Sequence, residues 1–402
     1  MIRSLVPAGK KALPYIAALA CIVLIYAVLC ISSGVDPTSY IYKTYLIQAQ
    51  SWLDGRITVD GQYLPYLELA IHNGNYYVSF PPVPSIPMLL YALIWGNNVP
   101  GGLFQKIYVA AACMLILSEL LRRRKMQWPH AVAWAVFFCF ASAMLPVTLV
   151  GGVWYEAQTL AFLLSTAAVV SMLRGRSALS CLMYALSVGC RPFTVCLGPV
   201  LLMLYIRRMR RAQIGARQAL RKLLPGLIAG LLIAAAYAAY NYARFGNPLE
   251  FGHNHLPEFS TQGGKQFALA HIPQNAKWLF TCPPFRIQDG AIVPEMFGSS
   301  MFFSCPVFIC WLVWIVKDLF RRRMTPPKLV IIAMFCLNTF LLLMHRTMGG
   351  MQFGARYAVE MIPLCFAYFM LCPERKQIAR WECVLMSFGL VLNLIGACLV
   401  HV

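Results

Sequence analysis

Acidic side chains are scarce in this 402-residue chain: 14 Asp and Glu stand against 34 Lys and Arg, and charged residues of both signs make up only 12%. A soluble domain carries about 25% charged and 45–50% apolar residues. The 60% apolar content here therefore excludes both a soluble globular enzyme and a disordered protein. The chain also has no CxxC pair of zinc or redox spacing, although it has 15 cysteines. Most of these, such as Cys21, Cys30, Cys113, Cys139, Cys181 and Cys196, lie inside apolar runs, where cysteine acts as a small hydrophobe. No internal repeat is visible, and no aromatic–basic surface module accompanies the net charge of +20, which leaves no nucleic-acid reading. Lys10 and Lys11 precede the first apolar run without a small-residue cleavage site, so that run reads as an uncleaved span.

What is present are apolar stretches close to the ~20 residues needed to cross a bilayer. They define an all-α polytopic membrane protein, a single domain over 1–402. About 11 spans are expected, at 13–31, 103–121, 129–147, 154–173, 177–190, 192–206, 223–243, 301–316, 328–345, 357–372 and 382–400. The pair flanking Arg191-Pro192 reads equally as one broken span. With the N-terminus cytoplasmic, 24 of the 34 basic residues fall in inner segments. Four acids, Glu119, Asp318, Glu374 and Glu382, join them there, and the other ten lie outside. The whole excess charge then faces inward, so the basic balance reports orientation rather than function.

Two outer loops, 32–102 and 244–300, far exceed the about 12–15 residues above which loops are usually functional. Both contain turn signals: Asp54-Gly55, Asp60-Gly61, Asn73-Gly74, Gly263-Gly264 and Asp289-Gly290. The first is expected to hold two interfacial helices, Thr38–Leu53 and Pro82–Trp95. In the former, Tyr42, Leu46, Ala49 and Leu53 share one face, opposite Thr44, Gln48 and Ser51.

One span, a long outer loop with interfacial helices and a Pro-Pro element together resemble the GT-C superfamily of membrane glycosyltransferases. That superfamily includes the protein O-mannosyltransferases and the aminoarabinose transferase acting on lipid A. The segment Tyr66–Pro84 is similar to the bacterial branch's acidic–Gly–Lys–Tyr–Tyr–Pro–Pro–Gly–Pro element. Trp154-Tyr-Glu-Ala-Gln158, Gly189-Cys-Arg-Pro192, Tyr240–Pro248 with Glu250-Phe-Gly252, and Gly349–Tyr357 follow in the branch's order. The resemblance covers roughly 30–365. It implies an inverting transfer from a polyprenyl-phosphate-linked sugar donor to a lipid, glycan or protein acceptor at the outer membrane face, without a cofactor. A bacterial inner membrane is the location it implies. The family usually places paired acids in the first outer loop; here Asp36-Pro37 stands alone.

Such a transfer needs a carboxylate within ~3 Å of the acceptor hydroxyl and cations for the phosphate that leaves. Asp36 and Glu68 are the candidate bases. A turn before proline is the structural alternative for Asp36, and a solvated or Arg-paired carboxylate is the alternative for Glu68. Arg356, Arg191, Arg244 and Arg346, all at outer span ends, are the candidate phosphate ligands. Arg356 leads them, because Gly349-Gly350 and Gly354 allow close backbone approach to a ligand; its alternatives are interfacial snorkelling and pairing with Glu360. Glu156, Tyr77 and Tyr357 are possible supporting residues, with Glu156 alternatively paired to Arg191. His253-x-His255 with Glu258 has the residue types of a metal site but no third ligand of recognisable spacing, so no metal is expected. Cys282 and Cys305 are an open disulfide possibility. A lipid-linked sugar flippase and a catalytically silent relative remain the competing readings; a transporter would place its polar groups mid-span and show inverted repeats.

Overall fold

A computed structural model describes residues 8–63, 68–257, 266–350 and 352–400. Arg3, Tyr66, Glu258, Gly263-Gly264, Lys265, Met351 and the side chains of Lys10 and Lys11 lie outside the described residues. The chain is an all-α integral membrane protein in which seven described helices are long and apolar enough to cross a bilayer.

From the N-terminus, α1 (Ala8–Ser33) leads into strand β1 (Tyr40–Tyr42), then α2 (Thr44–Leu53). The hairpin β2–β3 (Leu69–His72, Asn75–Val78) turns at Asn73-Gly74, both with positive φ as a tight hairpin turn requires. It is followed by α3 (Ser85–Trp95), α4 (Gly101–Arg123), α5 (Trp128–Phe140) and the single turn α6 (Met144–Val147). Strand β4 (Gly151–Gly152) pairs parallel with β1 and leads directly into α7 (Val153–Arg174). Next come α8 (Ser177–Val188), α9 (Leu197–Arg211), α10 (Ala216–Phe245), the short α11 (Ile272–Ala276) and a second hairpin, β5–β6 (Phe285–Gln288, Ala291–Pro294). Then α12 (Met301–Ser304), α13 (Val307–Phe320), α14 (Pro326–Met344), α15 (Ile362–Phe369) and α16 (Arg380–Val400) complete the fold.

Every expected span contains a helix, but three are interrupted at proline. Segment 129–147 breaks between α5 and α6 ahead of Pro146, 301–316 breaks at Cys305-Pro306, and 357–372 is a 3₁₀ turn (Arg356–Met361) followed by α15, with Pro363 in its first turn. Proline removes a helical N–H and clashes with the preceding turn, so each interruption has a local cause. The segments around Arg191-Pro192 are two antiparallel legs rather than one broken span. Arg208 at the end of α9 bonds the Leu173 carbonyl at the end of α7 (3.1 Å), and Ser177 at the start of α8 reaches Lys222 near the start of α10 (3.3 Å). Cys282 and Cys305 are both unbonded thiols.

The core is aromatic. Trp134, Phe137, Phe138 and Phe140 of α5 are fully buried against Phe308 of α13 and Phe366, Tyr368 and Phe369 of α15. By contrast α10 keeps most of its apolar surface outward, with Leu231 69% and Leu232 66% exposed, as a helix facing lipid does.

The first interfacial helix corrects the sequence reading twice. It begins at Thr44 rather than Thr38, because residues 40–42 are drawn into pairing with β4. Its polar residues Thr44, Gln48 and Ser51 are buried while Leu53 is exposed. Gln48 donates to the Tyr240 hydroxyl (2.9 Å) and accepts from Ser85 (2.6 Å), so polar partners on α10 and α3 bury the polar face along with Leu46 and Ala49 of the apolar one. The second, α3, begins at Ser85 rather than Pro82 and leaves Ile86, Leu90, Leu93 and Ile94 exposed.

The basic end of the bundle is tied by buried carboxylates. Glu119, with no exposed surface, pairs with Arg122 (3.1 Å), Arg123 (3.1 Å) and Arg174 (2.6 Å), joining α4 to α7. Asp318 pairs with Lys328 (2.6 Å) and Glu382 with Arg375 (2.7 Å).

Candidate active site

At the end of the bundle opposite these basic segments lies a cavity of about 790 Å³. Its walls include the foot of the β2–β3 hairpin, the first turn of α7, the Cys190–Phe193 corner, and the segments around 249–254 and 345–357.

Glu68 stands at the foot of the hairpin. Ser79, opposite it, donates to the Glu68 carbonyl (2.7 Å), and the Trp154 indole N–H donates to the Glu68 carboxylate (3.2 Å). Trp154 and Tyr155 begin α7, and Trp154 also packs on Tyr42 with ring centroids 5.1 Å apart.

Arg356 opens a 3₁₀ turn whose position is held from two sides. Ser304 receives the Ala355 N–H (3.1 Å), and Gln158 of α7 donates to the Arg356 carbonyl (3.2 Å). The guanidinium lies within reach of the rings of Trp154 (5.9 Å), Tyr155 (5.3 Å) and Tyr357 (5.0 Å), and donates weakly to the Tyr357 hydroxyl (3.4 Å). Arg356 is 3% exposed, and its Nε and one terminal nitrogen have no hydrogen-bond partner among the described residues. An ionised group out of water costs several kcal/mol unless paired, and the ring faces offset part of that cost without accepting an N–H hydrogen bond. Among the described residues the two unbonded nitrogens of Arg356 have no acceptor, and an anion would supply one.

Arg191 differs. Preceding proline, it adopts extended geometry, which turns its side chain into the corner between α8 and α9. There it pairs with Glu360 (2.5 Å) and covers the Tyr357 ring (5.0 Å). Glu360 thus serves Arg191 and not Arg356, and Glu156 is not the partner of Arg191. Instead Glu156 is buried behind the cavity, where one oxygen accepts from the Tyr40 hydroxyl (2.8 Å) and the other has no partner among the described residues.

Of the candidates, Glu68, Arg356, Arg191 and Tyr357 line the cavity; Asp36, Arg244, Arg346, Glu156 and Tyr77 do not. Asp36 is exposed and forms a turn with Thr38, accepting from its N–H (2.7 Å) and hydroxyl (2.6 Å), which hold the carboxyl below its ordinary range. Arg244 is a structural clamp, donating to the Val78 carbonyl of β3 (2.7 Å) and to Asn241 (2.8 Å) between the rings of Tyr240 and Phe245. Tyr77 packs on Phe245. The glycines also behave differently from expectation. Gly354 has φ +73°, and a Cβ there would lie 2.7 Å from Ser304 and 3.2 Å from Ala143, so it allows protein packing rather than ligand approach. Gly349 and Gly350 do line the cavity.

The two neighbouring histidines diverge. His253 lines the cavity with Nδ1 3.0 Å from the Ser79 carbonyl, whereas His255 stacks on Phe245 away from it. Among the described residues no group of three or more His, Cys, Asp or Glu side chains is gathered as a metal site would need. Sequence reasoning missed His345 and gave Trp154 no role. His345 at the end of α14 lines the cavity, with Nδ1 2.7 Å from the Thr347 carbonyl. Burial pushes it down to about 4 and also lowers His253. Its position at a span end, beside Arg346, was the one available signal.

The fold is that of a polytopic all-α membrane protein and is shared with a solved membrane protein of low sequence identity. No family model matches the sequence, and no curated protein matches it. The apo oligosaccharyltransferase of Archaeoglobus fulgidus shares the fold with a TM-score of 0.54 at 10% identity, over 95% of this chain and 56% of that one. ArnT from Cupriavidus metallidurans, bound to undecaprenyl phosphate, gives 0.48 at 13% identity, over 90% and 60%. The archaeal oligosaccharyltransferase AglB, in complex with an inhibitory peptide and a dolichol-phosphate, gives 0.48 at 11%, over 98% and 56%. The chain thus spans little more than half the length of the structures it resembles.

Proposed function

We propose that the protein is a glycosyltransferase that moves a sugar from a polyprenyl-phosphate donor to a hydroxyl-bearing acceptor. The observation that carries this reading is the buried, anion-deficient guanidinium of Arg356 in the same cavity as the Glu68 carboxylate. In the reaction the acceptor oxygen attacks the anomeric carbon as the bond from that carbon to the phosphate oxygen breaks. The electron pair leaves with polyprenyl phosphate, the acceptor proton passes to Glu68, and the configuration inverts. Arg356 neutralises the phosphate charge that develops, inside an aromatic shell that excludes water. Arg191, already neutralised by Glu360, shapes the adjoining corner. The sequence resemblance supports the prenyl carrier, and the basic segments gathered away from the cavity support a cytoplasmic N-terminus with the cavity on the outer face of a bacterial inner membrane.

Mass spectrometry of lipids retained by the gently solubilised protein tests this reading. Polyprenyl phosphate or its glycosylated form is expected with the wild type and at least tenfold less with Arg356→Ala. Retention of a diphosphate-linked oligosaccharide would favour a flippase. A lipid profile unchanged by Arg356→Ala would sink the proposal.

A further inference from the structure

The Trp154 indole touches both charges of the proposed reaction. Its N–H donates to the Glu68 carboxylate (3.2 Å), and the Arg356 guanidinium lies 5.9 Å from its ring centroid. An aromatic ring has a positive edge and a negative face, so one indole offers each charge the pole that attracts it. The residue type matters as well. An indole nitrogen is a donor only, so it orients a carboxylate without competing for the proton that carboxylate is to receive. A lysine or arginine at the same place would neutralise Glu68 and weaken it as a base.

The ring is immobilised from behind by the strand pair that opens α7. The Gly151 N–H of β4 donates to the Ser39 carbonyl (2.9 Å) just ahead of β1, and β4 runs directly into α7. A Cβ at Gly151 would lie 2.6 Å from that carbonyl and 2.7 Å from the Gly102 nitrogen of α4, so only glycine permits this close docking. From β1, the Tyr40 hydroxyl donates to Glu156 in the first turn of α7 (2.8 Å), and the Tyr42 ring packs on the indole itself at 5.1 Å. Glu156, buried behind the cavity, thus anchors the turn that carries Trp154.

We propose that Trp154 is the positioning residue of the site. Its N–H fixes the plane of the Glu68 carboxylate and its face seats the Arg356 guanidinium, so that base and phosphate ligand are both referred to one fixed ring. The inference rests on the transferase reading for what the two charges do, and adds the residue that sets their geometry.

Two measurements on the protein in lipid nanodiscs test it. The first is nuclear magnetic resonance of isotope-labelled tryptophan indoles, with Trp154→Phe identifying the Trp154 signal among nine. That signal should lie downfield in the wild type, as for an N–H bonded to a charged oxygen, move upfield in Glu68→Gln, and stay in place in Asp36→Asn. A Trp154 signal that Glu68→Gln leaves unmoved overturns the inference, and this arm needs no substitution of Trp154 beyond the assignment. The second is affinity for a fluorescent polyprenyl phosphate. Trp154→Ala opens the guanidinium to water and should weaken binding about threefold to tenfold, whereas Trp154→Phe keeps a ring face and should stay within about twofold of wild type. Unchanged affinity in Trp154→Ala, or equal losses in the two variants, overturns the seating of Arg356. If the wild type binds no polyprenyl phosphate while its indole signal still responds to Glu68→Gln, the transferase reading has failed and the proposal falls with it, although the contact is real.

Discussion

Two arginines far apart in the chain, Arg191 and Arg356, share Tyr357 yet have opposite electrostatic circumstances. Arg191 has its carboxylate; Arg356 has aromatic faces and the Tyr357 hydroxyl but no carboxylate partner among the described residues. Had Glu360 turned back to Arg356, four residues earlier in sequence, no anion deficit would remain. Local spacing made that pairing plausible, and a contact between residues 169 positions apart decided against it. The same distinction separates the two candidate bases. Asp36 closes a turn at the surface, while Glu68 faces the cavity. Glu68→Gln is therefore expected to lower kcat by about 10²–10⁴ with little change in donor KM, and Asp36→Asn to leave both near wild type. Equal losses in the two variants, measured with a defined acceptor, would return the base to the first outer loop's surface. His345 supports a further expectation. Its folded-state value of about 4 lies below the ordinary 6.5, so the unfolded chain binds the extra proton between those values. Stability should accordingly rise with pH from about 4 to about 6.5 and level off above. In thermal unfolding across that window, His345→Gln should flatten the rise; an unchanged slope would assign it to other groups.

Elements were legible where a local rule governs them. The three interrupted spans have a proline at each break, and the Asn73-Gly74 turn that sets Glu68 at the foot of its hairpin is readable from two residues. The buried polar face of α2 was not readable, because it depends on Tyr240 and Ser85, contributed by elements remote in sequence. Gly354 lies between these cases: its residue type was informative, but its purpose was not. Its positive φ and the 2.7 Å that would separate a Cβ from Ser304 hold the start of the Arg356 turn against α12. Gly354→Ala should therefore destabilise the protein by about 2–3 kcal/mol and displace the guanidinium. Calorimetry and carrier binding should change together. Lost binding with an unchanged melting temperature would mean that Gly354 does approach the ligand.

Across the whole molecule the two ends divide the work. Scarce acids were counted in sequence as loop charges balancing basic segments, yet Glu119, Asp318 and Glu382 are buried ties at the basic end, each paired with a cation. The positive excess that reads as orientation is thus also the material that fastens helices together beneath the cavity. Glu119 gathers three arginines from two helices, and removing its charge leaves Arg122, Arg123 and Arg174 to repel one another around a buried amide. Breaking a buried pair typically costs 3–5 kcal/mol, but Arg122 and Arg123 are 52% and 38% exposed and can turn to water, so about 2–4 kcal/mol is expected for Glu119→Gln. Because this cluster lies at the opposite end from Glu68 and Arg356, affinity for polyprenyl phosphate should stay within about twofold of wild type in the protein that remains folded. Melting temperature and carrier binding measured on one preparation separate the two roles. A variant that melts like wild type but binds the carrier poorly would show that the basic end and the cavity are coupled through α7, the helix that reaches both.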